Sequence, residues 1–364
     1  MASTGRIDRV GWLVVFGVIS SGCGFEVSAS HEGIDAPPDV PIDAAPTHLW
    51  AVATTDRAAG TVLVTHPFDD VVGFGTACTD QVTVPTRALL AHPTLPYVYS
   101  AANGFGGIGL GCAAITPSPY TVYGAPRPTQ TIGFDAAKAI GFFTIDGSSA
   151  IGVYRFTTAA TGIPTVSGPA NGPGASGALA LDATNGELFL GGAGVVWSYP
   201  LVGAALDFPA PGSHTIAGGC GAPVAIAISG PRVLVFCSDS PDIQRYTRGP
   251  FVSTASTVGI GAVDHVVMLP GDRAIAAHVS PTDLVIVHLG GGNPTWVNGP
   301  LVASSVTAMA VSADGKVLVT SRQLDPITSE LELWRINGDQ ITPIGTKLLV
   351  DGSVTALAVS VPGT

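Results

Sequence analysis

Val354 to Thr364 read VTALAVSVPGT, and Val306 to Lys316, 48 residues earlier, read VTAMAVSADGK. The earlier copy continues through an Asp314-Gly315 turn into a second apolar run and, after a polar loop, into a third, LELWRI. Asp-Gly between two alternating apolar runs signals a β-hairpin. The later copy stops where its turn would end, so the chain closes on the first strand of a unit that it does not itself complete.

The same order recurs along the chain. First strands are expected in TRALLAHPTLPYVYSA from Thr86, TQTIGFDAAKAIGFFTIDG from Thr129, GALALDATNGELFLGG from Gly177, PVAIAISGPRVLVFCSD from Pro223 and VDHVVMLPGDRAIAAHV from Val263. With Val306 and Val354 these make seven, spaced 43, 48, 46, 40, 43 and 48 residues apart. Third strands follow at IGLGC, AIGVYRF, GVVWSYP, DIQRYTR, DLVIVHL and LELWRI. A fixed period of roughly 40 to 50 residues signals a propeller or a solenoid. A solenoid needs polar caps at both ends, whereas here HLWAVATTDRAAGTVLVTHPF, from His48, is a second and third strand lacking a first. The terminal strand from Val354 can supply it. The expected fold is therefore all-β: a seven-bladed β-propeller over 48–364, closed by pairing of the C-terminal strand with the N-terminal blade.

The repeats resemble the YVTN and WD-repeat propeller superfamily. HPTLPYVYSAANG is similar to the His-Pro, turn, Tyr-Val-Tyr run of YVTN repeats, and LELWRI is similar to the end of a WD repeat. Most copies carry neither signature. The resemblance implies architecture more than activity, because propellers host binding scaffolds and enzymes alike.

Composition agrees with extensive burial. Charged residues are 11% and hydrophobic residues 46% of the chain, against about 25% charged in an average domain. The 47 Gly and 29 Pro suit a chain that turns often. Arg6 and Arg9 precede an apolar run from Gly11 to Ile19 with small residues before Cys23, the order of a secretory signal peptide over 1–22. The run is too short for a membrane-spanning helix, which needs about 20 apolar residues. Ser21, Gly22 and Cys23 resemble a bacterial lipobox, although Ser20 stands where that motif usually has Leu. The resemblance implies acylation of Cys23 and an envelope lipoprotein on the outer membrane; without acylation the protein is periplasmic or secreted.

Residues 23–47 form an acidic, Pro-rich tether carrying Glu26, Glu32, Asp35, Asp39 and Asp43 and no Lys or Arg, a composition that cannot build a core. Asp35, Asp39 and Asp43 lack the alternating ligands and closing Glu of an EF-hand loop. Of the formal charge of −11, the leader carries +1 and the tether −5, leaving −7 for the repeats. That balance excludes nucleic acid, which requires a basic footprint.

Four further cysteines, Cys78, Cys112, Cys220 and Cys237, form an even set for an exported chain and point to two disulfides. Of the three connectivities, Cys78 with Cys112 and Cys220 with Cys237 is favoured, the second pair bracketing one hairpin. No CxxC spacing supports zinc. Gly104, Gly106 and Gly109 match GxGxxG, but the motif binds dinucleotides only where a helix starts within it, and IGLGCAAI continues as strand. His265, His278 and His288 fall on different strands of one unit, and no GxSxG elbow occurs. No cofactor is called for.

One pattern recurs. The connections between second and third strands carry Asp56, Asn103, Asp146, Asp239, Asp242, Asp283 and Asp325. Gathered at one end of a ring they would form an anionic rim for a cation or basic partner; taken singly, Asp is simply a good turn former. The functional expectation is an envelope-anchored, monomeric, non-enzymatic binding or scaffolding propeller for an unidentified protein or small ligand, cationic where the rim is its site. The alternative, implied by the YVTN resemblance, is a lactonase-like hydrolase with its site at the channel mouth, using a metal or a carboxylate with His.

Overall fold

The computed structural model describes residues 49–360 apart from short segments between strands, with side chains described over 49–76, at 89–91 and 98, and through most of 178–360. The leader, Cys23 and the tether lie outside the described residues. Those described contain no helix and fall into seven antiparallel sheets of four or five strands.

The first sheet joins the two ends of the chain. Ser353–Ser360 runs antiparallel to Leu49–Arg57, with Trp50 opposite Ser360, Val52 opposite Ala358 and Thr54 opposite Ala356. Leu49–Arg57 pairs on its other edge with Gly60–Asp69, which carries Gly73–Phe74 and Cys78–Thr83 outside it. Next come the sheets beginning with Ala88–Ala91, Thr129–Asp135, Ala178–Asp182, Pro223–Ser229, Val263–Leu269 and Val306–Val311. Each repeats the same up-and-down order.

These first strands lie side by side in succession. Val306–Val311 also adjoins Ser353–Ser360, which in turn adjoins Ala88–Ala91. Both faces of an inner sheet are consequently buried. In Leu49–Arg57, Ala51 and Ala53 join Val319, Leu331, Leu333 and Leu357 in a cluster with the seventh sheet. Trp50 and Val52, pointing the other way, join Leu63 and Val98 of the second. Strand side chains alternate between faces, so a chain buried on both needs apolar residues at nearly every position. That accounts for the low charge content.

Turn chemistry fixes the hairpins. At Asp314-Gly315 the Asp314 carboxylate accepts hydrogen bonds from the Ser312 hydroxyl (2.6 Å) and the Lys316 amide (3.1 Å), and Gly315 has φ +71°. A Cβ on Gly315 would stand 2.5 Å from Pro270 of the neighbouring sheet, so only glycine fits both the left-handed backbone and the contact. Burial opposes ionisation of Asp314, but the Ser312 and Lys316 hydrogen bonds prevail and hold its carboxyl below the usual value.

Two expectations move. In the second sheet the third strand is Phe105–Gly109, three residues ahead of IGLGC, because Ala101 pairs with Phe105 and leaves only 102–104 to make the turn. The GFGGIG motif is thus largely strand, with no helix to receive a phosphate. In the seventh sheet LELWRI is the inner part of a longer strand, Thr328–Asn337, paired with Val317–Asp325.

Several charged groups pair across strands or sheets. Glu330 accepts from Arg322 (2.7 Å) and Lys347 (3.0 Å), which hold its carboxyl below its usual value against the effect of burial. Arg248 spans from the fifth sheet to Asp182 and Glu187 of the fourth and lies over the Phe189 ring.

Candidate functional site

The repeated strand order gives each sheet two ends: one with the turns joining first to second strands, the other with the connections from second to third. Asp56, Asp239, Asp242, Asp283 and Asp325 all stand at second-to-third connections, while Asn103 and Asp146 lie outside the described residues.

Four of these five carboxylates have local partners. Asp56 accepts a short hydrogen bond from the Thr61 hydroxyl. Asp325 accepts from the Ile327 amide at 2.8 Å, and Asp239 from the Gly221 amide at 2.8 Å. Asp242 begins its strand opposite Gly259. Asp283 is not on the surface at all: it is 6% exposed and bonds His278 Nδ1 at 2.5 Å. Strand periodicity turns it inward with Val285 and Val287, toward the fifth sheet. Buried with it, His278 Nε2 has no partner. No three carboxylate or imidazole ligands among these residues converge on one point. His265 and His288 are apart from this pair: burial lowers the pKa of His265 against the pull of the Asp264 charge and the Val306 backbone, and His288 contacts Asp339 at 3.0 Å.

Cys220 and Cys237 are brought together, their sulfurs at disulfide-bonding distance and their Cα atoms 5.7 Å apart. With the Asp239 carboxylate they form the single group among the described residues where three metal-ligand atoms meet. Two sulfurs bonded to each other offer no thiolate to a metal. Cys78 opens the strand Cys78–Thr83, and Cys112, expected to pair with it, lies outside the described residues.

The opposite end is built differently. A cavity of about 610 Å³ lies where the first strands approach their turns, walled by Leu90, Leu179, Leu181, Ile226, Ile228 and Met268. These side chains come from the second, fourth, fifth and sixth sheets. Because the second and sixth are not neighbours in the succession, the space lies on the axis that the first strands surround. Its volume falls in the range of small-molecule sites.

Asp272 and Arg273 also border it. Asp272 sits in the Gly271-Asp272 turn with φ +55°, the one non-glycine residue with positive φ among the described residues; Asp tolerates this conformation better than most residues. Its carboxylate reaches across to the fifth sheet and accepts a hydrogen bond from the Ser229 hydroxyl at 3.3 Å. Arg273 is drawn the other way, donating to the Gly338 carbonyl of the seventh sheet at 2.7 Å. The aspartate therefore faces the cavity while the guanidinium is engaged elsewhere.

Neither Asp272 nor the wall was singled out in the sequence. Gly271-Asp272 reads there as one more hairpin turn, and the apolar residues of a first strand do not reveal which of them border a space and which fill the contact between sheets.

No family model matches the chain, and no curated protein matches its sequence. Solved structures do. A Bacteroides fragilis protein described as a candidate 6-phosphogluconolactonase superposes with a TM-score of 0.66 at 13% identity, over 87% of this chain and 99% of that one. The periplasmic gluconolactonase of Pseudomonas aeruginosa gives 0.62 at 13% identity, over 86% and 98%. The WD40 repeats of RRP9 give 0.57 at 11%, over 84% and 88%. These likenesses show the fold: the chain is a β-propeller.

Proposed function

We propose that the protein is an exported lipoprotein, with a leader over 1–22, an acylated Cys23 and a tether to residue 47, carrying a closed seven-bladed propeller that handles a small molecule at the turn end of its channel. Seven sheets, the unbroken succession of first strands and the shared first sheet support the closed ring. The periplasmic neighbour agrees with export.

The cavity walled by leucine, isoleucine and methionine from four sheets carries the functional reading. A protein scaffold requires an exposed patch, whereas this space is concave, with aliphatic side chains of four sheets along its wall and Asp272 and Arg273 at its border. The comparisons point the same way. Neighbours described as lactonases favour lactone hydrolysis over scaffolding. In that reaction water adds to the ring carbonyl and the ester oxygen leaves as a hydroxyl, giving an open hydroxy acid. Asp272 is the described carboxylate placed to take the proton from that water.

Base-titrated hydrolysis of a panel of sugar and alkyl lactones by the purified full-length chain tests this reading. Acid release that falls by 100-fold or more in Asp272→Asn supports it, in line with the usual contribution of a general base of about 10²- to 10⁴-fold. Lactones that stabilise the protein without being opened reduce it to a binding module. Intact mass of the protein from its native envelope tests cleavage before Cys23, acylation and the oxidation of Cys220 with Cys237 together.

A further inference from the structure

We infer that the turn-end cavity is selective for an aliphatic amine: an apolar body against the leucine and isoleucine wall, with a protonated amino head on Asp272. The inference rests on the small-molecule reading above and adds the class of ligand; it holds whether or not a bound molecule is also hydrolysed.

The body of the ligand follows from the wall. Leu179, Leu181, Ile228 and Met268 offer methyl and methylene groups. A flexible alkyl chain gains contact there without leaving a polar group unsatisfied.

The head group follows from the charges. Of the ionisable residues bordering the cavity, Asp272 keeps acceptor capacity, since an ionised carboxylate offers about four lone-pair sites and the Ser229 hydroxyl occupies one. Ser229 is itself 2% exposed and donates a hydrogen bond to Asp272, so it steadies the carboxylate without neutralising it. Arg273, the one cation bordering the space, is held by the Gly338 carbonyl on the far side of its strand. A ligand carboxylate would meet the like charge of Asp272, whereas a neutral hydroxyl would donate a hydrogen bond to it. An ammonium donates the same bond and adds the attraction of opposite charges. The formal charge of −7 on the repeats favours the same sign of ligand.

The test uses octylamine, octanol and octanoate as matched probes, titrated calorimetrically against the purified full-length chain. Octylamine should bind about tenfold tighter than octanol, octanoate should bind at least tenfold more weakly than octanol, and the amine's advantage should shrink as salt is raised. Asp272→Asn should bring octylamine to the level of octanol and leave octanol unchanged. Ile228→Trp, which fills the space, should weaken both by more than tenfold. Octanol bound in the cavity and displaced by Ile228→Trp, with no preference for the amine, overturns the head-group inference and leaves the small-molecule site standing. Failure of every probe to bind overturns both. An amine preference that survives Asp272→Asn assigns the head group to some other residue and also overturns the inference.

Discussion

The two ends of this propeller use the same residue type in opposite ways. At the loop end, aspartates recur sheet after sheet, and Asp56, Asp239, Asp283 and Asp325 are each tied to a hydroxyl, an amide or an imidazole. At the turn end Asp272 borders an apolar space with only the Ser229 hydroxyl against it. Abundance of carboxylates therefore does not mark the site. A carboxylate whose hydrogen bonds are already made has little left for a ligand, while one beside uncovered apolar surface retains both charge and room.

The largest perturbation removes what both ends share. Deleting residues 353–364 takes away the strand that pairs with Leu49–Arg57, including buried Val354, Leu357 and Val359. Each such side chain is worth about 1.5–3 kcal/mol on burial, and the sum is comparable with the whole stability of a domain, about 5–15 kcal/mol. The truncated chain is expected to lose its cooperative thermal transition; a sharp melt within a few degrees of the intact protein would break the shared-sheet account.

Acid provides the next test. His66, on the strand Gly60–Asp69, is 3% exposed with neither ring nitrogen bonded, and burial lowers its pKa from 6.5 to about 4. The unfolded chain therefore binds this proton first. Stability is complete above pH 6.5 and falls as pH drops toward 4, by about 3 kcal/mol from this group. His66→Phe, which keeps a ring beside Phe74, should flatten the urea-midpoint profile over that interval.

At the loop end, reducing Cys220–Cys237 is expected to cost about 3 kcal/mol, the constraint on a loop of roughly 15 residues. The measurement is the shift in denaturant midpoint with and without reductant. Unchanged stability would mean that the two thiols are free in solution.

The smallest effects separate the ends most directly. Asp283→Ala leaves His278 buried without a partner and should cost about 1–3 kcal/mol, whereas Asp325→Ala removes one turn hydrogen bond and should cost about 1 kcal/mol or less. Asp272→Ala, which places alanine at φ +55° and leaves the buried Ser229 hydroxyl without its acceptor, should also cost about 1–3 kcal/mol. Thermal melts measure all three. Calcium should leave the melting point of the wild type unchanged; a rise abolished by Asp325→Ala would restore the rim as a cation site.

Much of the fold was legible because local chemistry and repetition speak together. Asp314-Gly315 between apolar runs announced a hairpin, six more copies set the period, and the unmatched run from His48 indicated where the final strand would pair. The strand after Tyr97–Ala101 begins earlier than expected, since the Asn103-Gly104 turn signal allows a connection of only three residues. Of the candidate site, the sequence revealed that aspartates cluster at one class of connection, but not that Asp56, Asp239, Asp283 and Asp325 already have partners. Asp283 shows why. Its position in a strand gives the face it points to, yet nothing local says that His278 waits on that face.

The sequence by itself determined the repeating order of strands, the all-β class and the pairing of the two ends, because turn residues and period-two alternation act within a few residues of each other and need no knowledge of distant contacts. Tertiary structure alone decided which apolar side chains border empty space and which carboxylate faces it. Those properties arise where the second, fourth, fifth and sixth sheets meet around an axis, and no stretch of one strand contains that geometry.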